Sequence, residues 1–197
     1  MKRAYLLAGG QSRRFGSNKA RVEVDGIPNL QRLALHLQRR DWTVTVVSQS
    51  PADYSDLGLP TIADPVPDAG PLAGTIASVS DCRGCKLPYC LIMNCDLVVD
   101  DWEWLLAMEK RINLPSTSIV AFESSDFLPF PALYASHLLE LAERIWREGS
   151  RSLRDLHRQV EHSIQRLKWP AEQRPSSFNT PEELEAIRRH RSNRTIP

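Results

Sequence analysis

An apolar run, Ala4-Tyr5-Leu6-Leu7-Ala8, stops abruptly at Gly9-Gly10, and the polar stretch that follows carries Arg13, Arg14 and Lys19. That junction constrains the chain more than any other feature. Glycines lack a Cβ, so they tolerate positive φ and let the backbone lie directly against a ligand. N–H groups exposed in such a turn form an anion-binding concavity. Three cations close by add charge suited to a polyphosphate, arginine as a two-pronged donor and lysine as a compact point charge. The string is not a P-loop, which needs Gly-Lys-Ser/Thr in succession, nor the dinucleotide fingerprint G-x-G-x-x-G. The junction reads as a triphosphate cradle, against the plainer alternative of a turn after a strand.

The rest of the chain supplies a scaffold for such a cradle. Residues 3–7 read as a buried strand. Residues 21–26 alternate apolar and polar and turn at Asp25-Gly26. Pro28 opens a helix whose inner face is Leu30, Leu33, Ala34 and Leu37, with Gln31, Arg32, Gln38 and Arg39 facing outward. Strands are expected at 43–47 and 61–63, the latter ending at Asp64-Pro65. Gly70-Pro71-Leu72-Ala73-Gly74 starts a helix with Pro71 in its first turn and Ala73, Ile76, Ala77 and Val79 inward. The continuous apolar run 89–93 marks a central strand. Asp100 and Asp101 stand where they would cap the next helix, which contains Trp104, Leu105 and Met108. Further strands are read at 118–122, 130–134 and 163–167, and helices at 138–145 and 152–160. Thr180-Pro181-Glu182-Glu183 is a capping box that opens a last helix to residue 189.

Alternating strands and helices argue for an α/β chain: three layers, Rossmann-like, a mostly parallel sheet with helices on both faces. At 197 residues and 42% hydrophobic it suits a single domain over residues 1–190, with 191–197 a frayed tail. With 25 Lys+Arg against 24 Asp+Glu, no global field points to nucleic acid or an anionic membrane. No apolar run approaches the ~18 residues of a membrane span, and the N-terminus enters a strand without a leader, so a cytoplasmic protein is expected. Cys82, Cys85, Cys90 and Cys95 fall close together, and Cys82-Arg83-Gly84-Cys85 is a C-x-x-C. With Cys90 and Cys95 flanking a strand and no second C-x-x-C, the cysteines read as reduced core or loop thiols, against the alternative of a metal site.

Ligands in such sheets sit beyond the carboxyl ends of the strands. The Gly9–Lys19 loop, Asp64 and Asn94-Cys95-Asp96 all fall there. Asp96 follows the central strand directly, and a carboxylate beside triphosphate oxygens suits Mg²⁺. Its alternative role, helix capping, is already served by Asp100 and Asp101. Asp64 before a proline is also a common turn element, and Lys19 could be a solvated surface lysine. The five histidines do not cluster, and the tryptophans read as packing residues.

The loop L-A-G-G-x-S-x-R-x-G-x-x-K, together with Gly70-Pro71-Leu72-Ala73-Gly74, Asn94-Cys95-Asp96, Phe130-Pro131-Ala132-Leu133-Tyr134, Arg151-Ser152-Leu153 and Phe178-Asn179-Thr180-Pro181-Glu182-Glu183-Leu184, resembles the molybdenum cofactor guanylyltransferases over nearly the whole chain. The resemblance implies an enzyme that transfers GMP from GTP to the phosphate of molybdenum-molybdopterin, releasing pyrophosphate. It implies that Leu7, Ala8, Gly9 and Gly10 hold the nucleotide, with Asp64 also in contact. Lys19 and Arg14 would serve the phosphates, Asp96 would bind Mg²⁺, and Asn179 would lie near the pterin phosphate. A molybdoenzyme or another cofactor-biosynthesis protein is the implied macromolecular partner. The chain departs from the family pattern at Asn18, Ser48, Leu97, Phe130 and Ser177. Alternative readings are a cytidylyltransferase, a sugar-phosphate nucleotidyltransferase, or a non-catalytic nucleotide- or metal-binding module using the cysteine cluster.

Overall fold

The first strand, β1 (Lys2–Leu7), is apolar on both sides from Ala4 onward, as a strand covered by helices above and below must be. The structure is a computed structural model that describes residues 1–8, 15, 18–64, 66, 70–111, 116–170 and 174–194. After β1 come a single 3₁₀ turn at Lys19–Arg21 and a small hairpin, β2 (Glu23–Val24) and β3 (Ile27–Pro28). Helix α1 (Asn29–Gln38), β4 (Trp42–Ser48), β5 (Thr61–Ala63), α2 (Pro71–Gly84) and β6 (Tyr89–Asn94) follow. The second half contributes β7 (Leu97–Val98), α3 (Glu103–Glu109), β8 (Ile119–Phe122), β9 (Ala132–Ala135) and α4 (Leu139–Arg147). The chain ends with α5 (Leu153–Gln159), β10 (Ile164–Leu167), β11 (Ser176–Ser177) and α6 (Pro181–Arg194).

Among the described residues, seven strands form one sheet in the order β10-β8-β9-β6-β1-β4-β5. Only β9 runs antiparallel to its neighbours β6 and β8. The β1–β4, β4–β5, β1–β6 and β10–β8 pairs are parallel. From β1 the chain steps outward to β4 and β5, then returns to β6 on the other side of β1. The carboxyl ends of β1 and β6 therefore flank the point where the winding reverses, the usual place for a ligand crevice.

Side-chain alternation along β1 shows that both faces are covered. Arg3 and Tyr5 point to α2, where both bond Asp81 (Tyr5 Oη to Asp81, 2.6 Å). On the opposite face Lys2 reaches Glu109 at the end of α3 (2.8 Å), and Trp42 Nε1 donates to the same carboxylate (2.9 Å). The expected mostly parallel sheet with helices on both sides is thus what the chain forms. No helix among the described residues is long and apolar enough to cross a membrane.

Four local expectations need correction. Helix α1 begins at Asn29, not Pro28, which belongs to the hairpin. Arg32 is not on its outer face: it is buried, because its side of the helix is roofed by the chain that leaves β7. Asp101 caps α3 by accepting from Glu103 N (2.8 Å), whereas Asp100 pairs with Arg191. The final helix does not stop at residue 189 but continues to Arg194, and Arg191, read as the start of a frayed tail, is tied to Asp25 (2.6 Å) as well as Asp100.

A second apolar cluster lies apart from the main core. Val24, Val98, Phe178 and Leu184 are its buried members, with Phe15, Val22 and Ile187 packed against them. It joins the hairpin, β7 and α6, and Phe15 from the loop after β1 meets the Phe178 ring at 5.6 Å.

Candidate active site

Lys19 sits in the 3₁₀ turn because Asn18 caps it: Asn18 Oδ1 accepts from Ala20 N (3.1 Å). The Asn18 amide also donates to the Tyr54 hydroxyl (3.0 Å), which lies 3.3 Å from the Ala8 carbonyl. One tyrosine thus links residues 8 and 18, the two ends of the glycine loop. Gly9, Gly10 and Arg14, expected to cradle phosphates, lie outside the described residues. Leu7 and Ala8 form the described part of the floor. Ala8 N–H donates to the Val47 carbonyl (2.9 Å), extending the sheet by one bond, and Leu7 accepts from Cys95 N (3.2 Å).

Asp96 lies directly beyond β6, and its carboxylate is 4.0 Å from Lys19 Nζ. Lys19 also donates to Asn179 Oδ1 at 2.8 Å, bridging 160 residues of sequence. Both Lys19 and Asp96 keep about a fifth of their side chains open to solvent (17% and 19%). Burial pushes the Asp96 carboxyl above its ordinary value; Lys19 opposes that, and the nearby charge of Glu183 reinforces it.

Asn179 reaches this place by a short antiparallel pairing. β11 lies on β7, Ser177 opposite Leu97, and Phe178 N donates to the Asp96 carbonyl (3.3 Å). Phe178 is fully buried, so the next residue emerges at the lysine. The predicted capping box is present: Glu183 accepts from Asn179 N and from Thr180 N (3.3 Å), while Thr180 Oγ1 accepts from Glu183 N (3.3 Å).

Asp64 follows β5 and is anchored by its N–H to the Ser48 carbonyl (2.9 Å). Its Oδ1 is buried with no hydrogen-bond partner among the described residues, and burial raises its pKa. It lies along the sheet edge near Gly74, where an added Cβ would stand 3.2 Å from the Leu7 side chain and 3.8 Å from Asp64 Oδ2. Gly74 is therefore what lets α2 approach the strand ends so closely. Gly70 starts that helix with φ of +75°, a left-handed conformation that an L side chain rarely adopts.

The four cysteines do not gather in one cluster, although the buried thiols of Cys82 and Cys90 are hydrogen-bonded to each other. Cys90 lies near the start of β6 and Cys95 just beyond its end, about 16 Å apart at ~3.3 Å per residue. Cys85 is exposed at the end of α2, while Cys82 and Cys90 are buried. Cys95 lies at the site, its thiol pushed up to about 12, mainly by burial.

A divalent ion fits this donor set in one particular way. Among the described residues no group of three or more His, Cys, Asp and Glu side chains converges. Asp96 supplies a hard carboxylate at the open sheet edge, which matches Mg²⁺ held by one or two carboxylates plus substrate phosphates. Sequence reasoning had placed Lys19, Asp96 and Asn179 in one site, and the structure brings these three together. The capping-box role of Glu183 was legible in the sequence, but nothing there could reveal Asn29, Tyr54 or Phe178 as supports, since each acts through contacts distant along the chain.

Comparison with known proteins extends this picture. Residues 4–164 match the family described as the MobA-like NTP transferase domain. A protein from Opitutus terrae described as a probable molybdenum cofactor guanylyltransferase is 27% identical, covering 93% of each chain. One from Nostoc sp. with the same description is 30% identical over 93% of this chain and 89% of its own. In structure, molybdopterin-guanine dinucleotide biosynthesis protein A from Archaeoglobus fulgidus superposes with a TM-score of 0.74 at 16% identity, covering 97% of this chain and 99% of that one.

Proposed function

The chain belongs to the MobA-like NTP transferase domain family and is a nucleotidyltransferase, and from that premise we propose that it transfers GMP from GTP to the phosphate of molybdenum-molybdopterin. The observation that carries this reading is the convergence of Lys19, Asp96 and Asn179 where β1 and β6 end. Enzymes of this type generally use a divalent metal, and we assign Mg²⁺ to Asp96.

The acceptor is a phosphomonoester with a second pKa of about 6, so near neutral pH it is already an anionic nucleophile and needs no general base. An acceptor oxygen forms a bond to the α-phosphorus of GTP as the bond from that phosphorus to the bridging oxygen breaks, and pyrophosphate leaves with the electron pair. Lys19 holds non-bridging oxygens and offsets the charge that builds during the displacement. Asn179, oriented by the Glu183 cap, directs the acceptor phosphate to the same lysine. Gly9, Gly10 and Arg14 extend the cradle around the triphosphate, while Leu7, Ala8 and Asp64 line the nucleotide side. Mg²⁺, when bound, neutralises phosphate charge beside Asp96. A molybdoenzyme, or a protein that passes the cofactor to one, is the partner this reaction calls for.

The test is pyrophosphate release from purified protein, Mg²⁺ and molybdopterin, with GTP, CTP and UTP in parallel. Release with GTP that depends on molybdopterin is expected. Equal turnover of CTP would move the assignment to a cytidylyltransferase, and no release with any of the three would refute transfer to this acceptor.

A further inference from the structure

The turn that carries Asp96, Asn94-Cys95-Asp96-Leu97, has no proline to stiffen it. Two of its carbonyls are instead held by one buried side chain. Asn29, the first residue of α1, is fully buried, and its Nδ2 donates both protons, to the Cys95 carbonyl (2.8 Å) and the Leu97 carbonyl (2.9 Å). Those are the two carbonyls that flank Asp96. Arg32, one helical turn later, donates from Nε to Asn29 Oδ1 (3.2 Å) and from Nη1 to the Val99 carbonyl (3.0 Å). The first of these bonds decides which end of the Asn29 amide faces the turn. The second extends the grip to residue 99, so alternate carbonyls at 95, 97 and 99 are all bound by α1. Between the first two, the Asp96 carbonyl accepts from Phe178 N on the other side.

We infer that Asn29 and Arg32 are positioning residues for Asp96, fixing the backbone from which its carboxylate meets metal and phosphate; this rests on the assignment of Asp96 above. Asparagine suits the task because one nitrogen offers two protons while its oxygen remains free to be fixed by a third bond. Aspartate offers no proton, and leucine fills the space without holding either carbonyl. Packing alone does not account for Arg32. It is buried, its Nη2 has no partner among the described residues, and no carboxylate there lies within ion-pair distance. An unpaired buried guanidinium is unfavourable in itself. Its hydrogen bonds go to Asn29 and to the chain leading out of the Asp96 turn, which is where a positioning role would send them.

The test uses Asn29→Asp, of equal size but with a carboxylate oxygen in place of the nitrogen that faces the two carbonyls, compared with wild type and Asp96→Asn. Mn²⁺ binding in the presence of GTP is followed by electron paramagnetic resonance, and Mg²⁺-dependent GMP transfer is measured alongside. Loss of an outer support typically costs about 10–100-fold in metal affinity or activity. Asn29→Asp should therefore weaken Mn²⁺ binding at least about tenfold, with a KM for GTP changed less than about threefold. A merely structural residue would lower stability and leave the folded fraction's Mn²⁺ affinity untouched. Should Asn29→Asp not fold, Arg32→Met keeps the apolar stem and removes the donor that orients Asn29; a smaller loss in the same direction is expected. Wild-type Mn²⁺ affinity in either folded variant, with Asp96→Asn inactive, overturns the positioning role alone. Wild-type Mn²⁺ affinity and turnover in Asp96→Asn would overturn the site assignment and this inference with it.

Discussion

Asp96 and His157 are both titratable side chains shifted by burial, and the molecule treats them in opposite ways. At the ends of β1 and β6, burial raises the Asp96 carboxyl, yet Lys19 stands 4.0 Å away to oppose that, and both side chains stay partly open. Beneath β9, His157 on α5 is buried against the Phe127 ring, with its Nε2 2.9 Å from the Tyr134 hydroxyl. Tyr134 donates to the Pro129 carbonyl (2.8 Å), so a neutral His157 supplies the proton of the second bond. Burial lowers its pKa to about 4, with the charge of Arg166 adding to the effect. The difference is one of position. A strand end at the reversal of winding leaves room for a charged partner and a ligand, whereas the interior under an antiparallel strand leaves room only for a neutral ring.

The sharpest way to break the comparison is at its charged side. Lys19→Ala and Asp96→Asn should each lower GMP transfer about 100- to 1000-fold, the usual cost of removing one preorganised group, while thermal unfolding shifts little. Near-wild-type turnover in either would leave that pair no more functional than the histidine.

The neutral side yields a stability effect of similar size. The unfolded imidazole takes up a proton at about 6.5 and the folded one only at about 4. Between those values the unfolded state binds more protons, so stability falls as pH drops through that window and levels off below it. The loss is on the order of 3 kcal/mol. Urea titrations of wild type and His157→Gln from pH 7 to 4 measure it; parallel curves for the two proteins would count against a neutral buried histidine.

A smaller effect is expected where the two concerns meet, at the start of α6. Glu183→Ala removes the acceptor for two backbone N–H groups and should cost about 1 kcal/mol of stability. It should also loosen Asn179 and raise the KM for the acceptor while the KM for GTP holds, which steady-state kinetics in both substrates will reveal. Smallest of all is the ion pair at the opposite end of β1. Lys2→Met breaks the contact with Glu109 at a half-exposed surface and should change stability by at most about 1 kcal/mol, with unaltered transfer kinetics.

Much of this protein was legible from local pattern. The apolar runs of β1, β4 and β6 announced buried parallel strands, and Pro71 and the Thr180–Glu183 box marked their helices as the structure has them. Arg32 shows where such reading ends. Helical periodicity assigned it to solvent, but periodicity registers only the helix's own faces and not the loop that will roof one of them. Asp100 and Arg191 misled for the same reason, each serving a partner distant along the chain.

By itself the sequence determined the alternation of strands and helices, and the chemistry available at their ends: glycines, a lysine and a carboxylate. These follow from side-chain size, charge and spacing, which are local. Only the tertiary structure decided that Asn179 lies on Lys19 across 160 residues, that Phe178 anchors it there, and that Asn29 grips the turn bearing Asp96. Those are hydrogen bonds and packing between segments far apart in the chain, and their partners become neighbours only once the sheet has formed.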